Sequence, residues 1–197
     1  PSMLGTTPAA SNPDHRLFGG RGTAELAVTA TITLKLGADF QNGHHRSRST
    51  GNQPVTPYPS LHRDPDASID DVGVFGEFAQ TLTDRHRVIA GLRLDAWSAH
   101  EQRTMIAGMM SSAPNPTANA HRAETHPGGF VRYEHDLSGV PATAYLGVGY
   151  TERAPDYWEL ITNESLATKS SFHTRAEKTT QLDTGLSFRH GPFTASV

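Results

Sequence analysis

The stretch DVGVFGEFAQTLTDRHRVIAGLRLDAWSAH, residues 71–100, decides how the chain is read. Val72, Val74, Phe78 and Leu82 occupy even positions, against Asp71, Glu77 and Thr81 on odd ones. After the polar tetrad Thr83-Asp84-Arg85-His86 the even positions resume as Val88, Ala90, Leu92, Leu94 and Ala96, against Arg87, Arg93, Asp95 and Trp97. A period of two puts one kind of side chain on each face of a β-strand. Two such runs around a short polar turn make a hairpin. Each run matches the roughly 9–11 residues with which a tilted strand crosses a bilayer. Glu77, Arg93 and Asp95 require water on their side, so the apolar face is outside and the wet face inside, the pattern of an outer-membrane barrel.

The same alternation runs outward in both directions. Upstream, Ala24, Leu26, Val28, Ala30, Ile32, Leu34, Leu36, Ala38 and Phe40 alternate with polar residues. At about 3.3 Å per residue this run is twice the bilayer core, so a turn is expected near Thr29–Thr31. Downstream, 130–136, 143–151 and 181–189 alternate too. Here Val131 and Tyr133 are expected outside and Arg132 and Glu134 inside. After His190-Gly191-Pro192 the apolar phase shifts to Phe193, Ala195 and Val197. Residues 1–21 lack any period and read as a loop, as do the long polar segments 43–70, 101–128 and 153–177. Long loops of this size need a reason in a compact domain, and a barrel supplies one: long external loops on one rim, short periplasmic turns on the other. The fold class is therefore all-β, an antiparallel up-and-down transmembrane barrel segment of about eight strands. A soluble β-sandwich is the competing architecture, but its strands average about 5–6 residues.

Composition removes other classes. The chain has 197 residues, net charge −3 and no cysteine, so disulfide frameworks and thiolate zinc sites are excluded. Seventeen basic and 20 acidic residues are mixed along the chain, which gives no nucleic-acid footprint. No apolar run is long enough for a membrane helix. Neither a nucleophile elbow, a phosphate loop nor HExxH occurs, so no enzyme is expected.

Several stretches resemble the barrel of TonB-dependent outer-membrane receptors: FGEFAQTL with VIAGLRLDAWS, GVGYTERAPDYWELI, and RAEKTTQLDTGLSFRHGPFTASV. APDYWEL and ASNPDHRLFGGRGTAEL resemble, more narrowly, the TonB-dependent copper receptor branch. The resemblance implies that residues 1–197 are an interior piece of a barrel of about 22 strands with a plugged lumen. Plug, signal peptide and C-terminal strands are expected to lie outside this sequence. It further implies residence in the outer membrane of a Gram-negative bacterium, contact with outer-membrane lipid, and coupling to the TonB complex through the plug. The transported ligand on this reading is a copper ion, with no cofactor held in the fragment. A siderophore or cobalamin receptor, a passive porin-type channel and a soluble β-rich binding domain are the alternatives.

Candidate metal ligands follow from chemistry. Met3, Met105, Met109 and Met110 all fall in expected loops, and thioethers suit Cu(I). The plain alternative is adaptable apolar packing. His44 and His45 stand at a strand-to-loop junction, and imidazole is a common copper ligand. Asp64, Asp66, Asp70 and Asp71 lack the order of a calcium loop and read as solvated. Tyr157 and Trp158, after Pro155, read as aromatics of the membrane–water interface.

Overall fold

A computed structural model of the chain describes residues 10–50, 52–107, 112–161 and 170–197. Eight strands form one antiparallel sheet in the order β1 (Ala10–Ala27), β2 (Ile32–Thr50), β3 (Asp64–Thr83), β4 (His86–Glu101), β7 (His121–Asp136), β8 (Ala142–Arg153), β9 (Glu177–His190) and β10 (Phe193–Ser196). β5 (Met105–Ala107) and β6 (Ser112–Pro114) form a separate small hairpin. A 3-10 turn (Tyr58–Ser60) and one short helix, α1 (Tyr157–Ile161), complete the described elements. Each main strand pairs with its neighbour in sequence, so the sheet is an up-and-down meander with β1 and β10 at its open edges.

Short connections at 28–31, 84–85, 137–141 and 191–192 share one rim, and 51–63, 102–120 and 154–176 share the other. The turn expected near Thr29–Thr31 is present, closed by the Val28 and Thr29 amides donating to the Ile32 carbonyl. Gly139 and Gly191 lie at positive φ in two of the short turns, a conformation that a Cβ disfavours.

The two faces separate as the alternation requires. Val74, Leu92, Leu94, Val131, Leu146 and Leu186 are exposed on the outward face, while Glu77, Arg93, Asp95, Arg132 and Asp183 line a groove on the inward face. From Val88 to Ala96 the outward apolar run rises roughly 20 Å at a tilt of about 45°, close to the apolar band of an outer-membrane barrel. Above it, Asn42 donates to Asp70 on the outward face and marks where that band ends. The architecture is a segment of a transmembrane β-barrel wall.

Several expected boundaries move. Residues 10–21, read as loop, belong to β1, while 43–50 and 64–70 extend β2 and β3 and 121–128 open β7. The physical reason is the same in each case. These parts of the strands rise past the apolar band, where both faces meet water or a loop, so the hydrogen-bonded ladder continues without hydropathic alternation. The loops shorten accordingly.

Inside the wall, three glycines lie under aromatic rings of the facing strand: Gly37 beneath Phe75, Gly91 beneath Phe130 and Gly185 beneath Tyr145. A Cβ at any of the three would collide with the ring, so only glycine lets these aromatics lie flat. Across β3, Arg93 bridges two carboxylates. Its Nη atoms donate to Asp39 at 2.9 and 2.7 Å and its Nε to Asp95 at 2.8 Å. Gly73 lies directly beneath and has no side chain to obstruct them.

The buried core is not in the band. Ala67, Trp97, Ala99, Tyr157, Leu160, Ile161 and Phe172 pack together at the long-loop rim, where α1 and Phe172 meet the strand extensions. This collar is a water-excluding core of ordinary kind, built on the wall.

Candidate functional site

The collar encloses a half-open chamber of about 590 Å³ at the long-loop end of the inward face. Its wall includes His15, His45, Asp71, Trp97 and His126, and residues 154–158 overhang it. Asp95 lines both this chamber and the groove below, so the two spaces are continuous.

The overhang is built from a short sequence. Asp156 and Glu159 cap α1 reciprocally, the Glu159 amide donating to Asp156 Oδ1 at 2.9 Å and the Asp156 amide to Glu159 Oε2 at 2.8 Å. Arg153 at the end of β8 donates to both Glu159 oxygens, at 3.0 and 2.7 Å, and also reaches Glu177. These bonds hold the Glu159 carboxyl below the usual range, the Arg153 bond contributing most. Leu160 and Ile161 enter the core, which fixes the direction of α1.

Tyr157 turns inward. Its ring stacks on His45 at 3.7 Å and 5°, and its hydroxyl donates to buried Asp66 at 2.8 Å. Burial, reinforced by Asp66, raises the phenol pKa. Asp66 also accepts from Ser47 at 2.9 Å. Two expectations therefore change. Tyr157 is a core residue of the collar rather than an interfacial aromatic, and Asp66 is a buried acceptor rather than a solvated loop carboxylate.

His45 lies above the apolar band, on the inward face of β2. Its other face carries His15, the residue directly opposite on β1, with rings 4.1 Å apart at 14°. Burial first, then repulsion from His15 and His44, pulls the His45 pKa down to about 4, so the ring is neutral near neutral pH. His126, 3 % exposed, has neither ring nitrogen hydrogen-bonded. Its Nδ1 lies 3.6 Å from Glu152 and its Nε2 3.8 Å from Glu124.

The expected ligands are dispersed. His44 precedes His45 and lies on the opposite, outward face of β2, in register with Arg16 and Ser68. Met105 opens β5 in the loop between β4 and β7 and is half exposed. Met3, Met109 and Met110 lie outside the described residues. Among the described residues no three His, Asp or Glu side chains converge as a metal cage. His15 was not singled out from the sequence, although a signal existed. Pairs across the turn near Ala30 have residue numbers adding to 60, which sets His15 opposite His45 once β1 is allowed to reach that far.

Residues 2–197 match the family described as TonB dependent receptor-like, beta-barrel. Among solved structures the chain is similar to one titled "Copper transporter OprC", with a TM-score of 0.86 and 38 % identity over 96 % of this chain. The match covers 30 % of that protein, so the chain spans under a third of its length. No curated protein sequence gives a significant match.

Proposed function

Because the chain belongs to the family of TonB-dependent receptor β-barrels, we propose that it forms part of the wall and outer mouth of an outer-membrane importer for copper. The observation that carries the cargo is the 38 % identity along almost the whole segment to a protein titled as a copper transporter. Energy reaches such an importer from the TonB complex through a plug held in the lumen, and the charged inward wall around Arg93, Asp39 and Asp95 is the surface that would face it. The outward apolar band faces outer-membrane lipid.

At the mouth, the loop between β4 and β7 carries Met105, Met109 and Met110. Thioethers are soft donors and favour Cu(I) over harder ions. On this reading the three methionines gather the ion above the chamber, and the inward wall carries it toward the lumen. On the same reading Met3 is a further candidate thioether ligand.

The test is uptake by cells expressing the full-length receptor, with copper, a ferric siderophore and cobalamin offered separately, with and without a functional TonB complex. Copper accumulation that needs the TonB complex is the expected result. Replacing Met105, Met109 and Met110 together by Leu keeps bulk and removes the sulfurs, and should lower copper uptake at unchanged outer-membrane yield. Uptake of the siderophore or cobalamin in place of copper assigns a different cargo, and uptake without TonB makes the protein a passive channel. Equal copper affinity in the triple variant returns the methionines to loop packing.

A further inference from the structure

On the outward face, just above the apolar band, the alternation gives way to a row of polar and basic side chains. Arg16, His44, Ser68, His100 and His121 are successive partners across β1, β2, β3, β4 and β7, and no carboxylate interrupts them. The row is most basic at its β1–β2 end. Asp14 and Arg46, opposite each other one step higher on the same face, form an ion pair at 2.6 Å. Arg63, from the loop between β2 and β3, comes within 3.8 Å of the same Asp14 oxygen, and its Nη1 is buried without a hydrogen bond. Arg16 acts on that carboxylate too and has no hydrogen bond or ion pair of its own among the described residues. Three guanidiniums thus share one carboxylate. Arg48, next along β2, is already engaged: it stacks on Tyr58 at 4.2 Å and donates to the Leu61 carbonyl at 3.3 Å. Asp70, one row nearer the band on β3, accepts from Asn42. Below the cluster, Phe18 and Phe40 are exposed on the outward face with ring centroids 5.5 Å apart. Two residues along a strand rise about 6.6 Å, or roughly 5 Å along the membrane normal at a tilt of about 45°. The cations therefore stand where headgroups begin, over rings that lie at the edge of the acyl chains.

We propose that Arg16, Arg46 and Arg63 form a site on the outer surface of the barrel for a phosphorylated glycolipid of the outer leaflet, its phosphate on the guanidiniums and its acyl chains against Phe18 and Phe40. The surface presents its parts in the order of such a molecule, cations above and apolar rings below. The cluster is built of arginine alone, whose planar guanidinium meets a phosphate with two parallel hydrogen bonds where lysine offers a point charge. One carboxylate leaves the three cations in excess, which draws an anion to them. A strand pairing with the open edge of β1 lies beside this face and leaves it uncovered. The site faces lipid, on the other side of the wall from the chamber, so it stands or falls independently of the copper reading.

The experiment titrates the full-length receptor, purified in detergent, with diphosphorylated lipid A and counts retained lipid by native mass spectrometry. Arg16→Gln, Arg46→Gln and Arg63→Gln should each weaken retention about fivefold, the strength of one basic residue at an anionic lipid surface. Asp14→Asn should strengthen it, because the competing carboxylate is gone; arginines that only brace the rim would give no such gain. Lys178→Gln, on β9 and already paired with Glu152, should match the wild type. Lipid A stripped of its phosphates should be retained no better than diphosphorylated lipid A is by the triple Gln variant. Unchanged retention in the three Gln variants, or equal retention of the stripped lipid by the wild type, overturns the site. Complete displacement of lipid A by inorganic phosphate also overturns it, making the cluster an anion site without a lipid. Where Arg46→Gln, Arg63→Gln or Asp14→Asn loses the heat-modifiability of the folded barrel, Arg16→Gln decides, because Arg16 has no hydrogen bond to lose: full retention in that variant refutes the proposal.

Discussion

Leu92→Arg tests the assignment of faces at its most sensitive point. Leu92 is 76 % exposed on the outward face and stands midway between Val88 and Ala96. Its neighbours across β3 and β7 are Gly76 and Gly129, so no side chain beside it offers a polar partner. At a tilt of about 45° the edge of the apolar run is roughly 10 Å away along the membrane normal in either direction. A snorkelling arginine covers only part of that distance. The cost should therefore fall at about 2–4 kcal/mol, the range for a cation at the midplane. Ser98→Arg, one row above the band and opposite Asp70, should cost about 1 kcal/mol or less. Both are measured by urea titration of the full-length receptor refolded into lipid vesicles, followed by the gel shift of the folded barrel. Equal costs at the two positions, or no cost at Leu92, would mean that Leu92 does not face lipid, and the register of β4 would be wrong.

Other outcomes follow from the same structure. Arg93→Leu leaves Asp39 and Asp95 unpaired across the wall. It should lower stability by about 1–3 kcal/mol, below the cost of breaking a fully buried pair because the guanidinium retains some solvent, and the Asp39→Asn/Asp95→Asn background should recover most of that loss. An epitope tag beside Val55 should be reached by antibody on intact cells, and one beside Asp84 only after the outer membrane is permeabilised; the reverse would invert the topology. The Glu159 clamp has a defined pH sense. Its carboxyl is held below the unfolded value near 4.3, so its contribution is complete above that pH and is lost as pH falls through the lower folded value. Hydrogen exchange at Leu160 and Ile161 should accelerate over that window, and the Glu159→Gln variant should lack that component.

The parts that the sequence made legible are those where two solvents act on one strand. Residues 72–96 alternate because lipid selects one face and water the other, so faces, hairpin and turn are readable from the residue order alone. The same logic fails above the band. Residues 10–21 carry Pro13, Gly19 and Gly20 among polar residues, and nothing in their hydropathy reveals that they pair with β2. The collar was hidden for another reason. Tyr157, Leu160, Ile161 and Phe172 meet Ala67, Trp97 and Ala99 only through contacts between segments far apart in sequence. The chamber was half legible. His45 stood out at a strand-to-loop junction, but its partner His15 depends on register, and the adjacent His44, equal to it in sequence, is turned away by the period of the strand.

The placement of the buried core above the band means that a single strand such as β4 answers to two different surroundings. Its lower half is bounded by hydrocarbon, so the thickness and fluidity of the bilayer govern it. Its upper half is held by apolar side chains gathered away from water, an attraction that carries a large heat-capacity change and fades on cooling. Chilling or mild urea will therefore loosen the collar before the wall, and a change of lipid will strain the wall before the collar. Temperature and lipid composition act on this protein as separate handles, one at each end of the same strand.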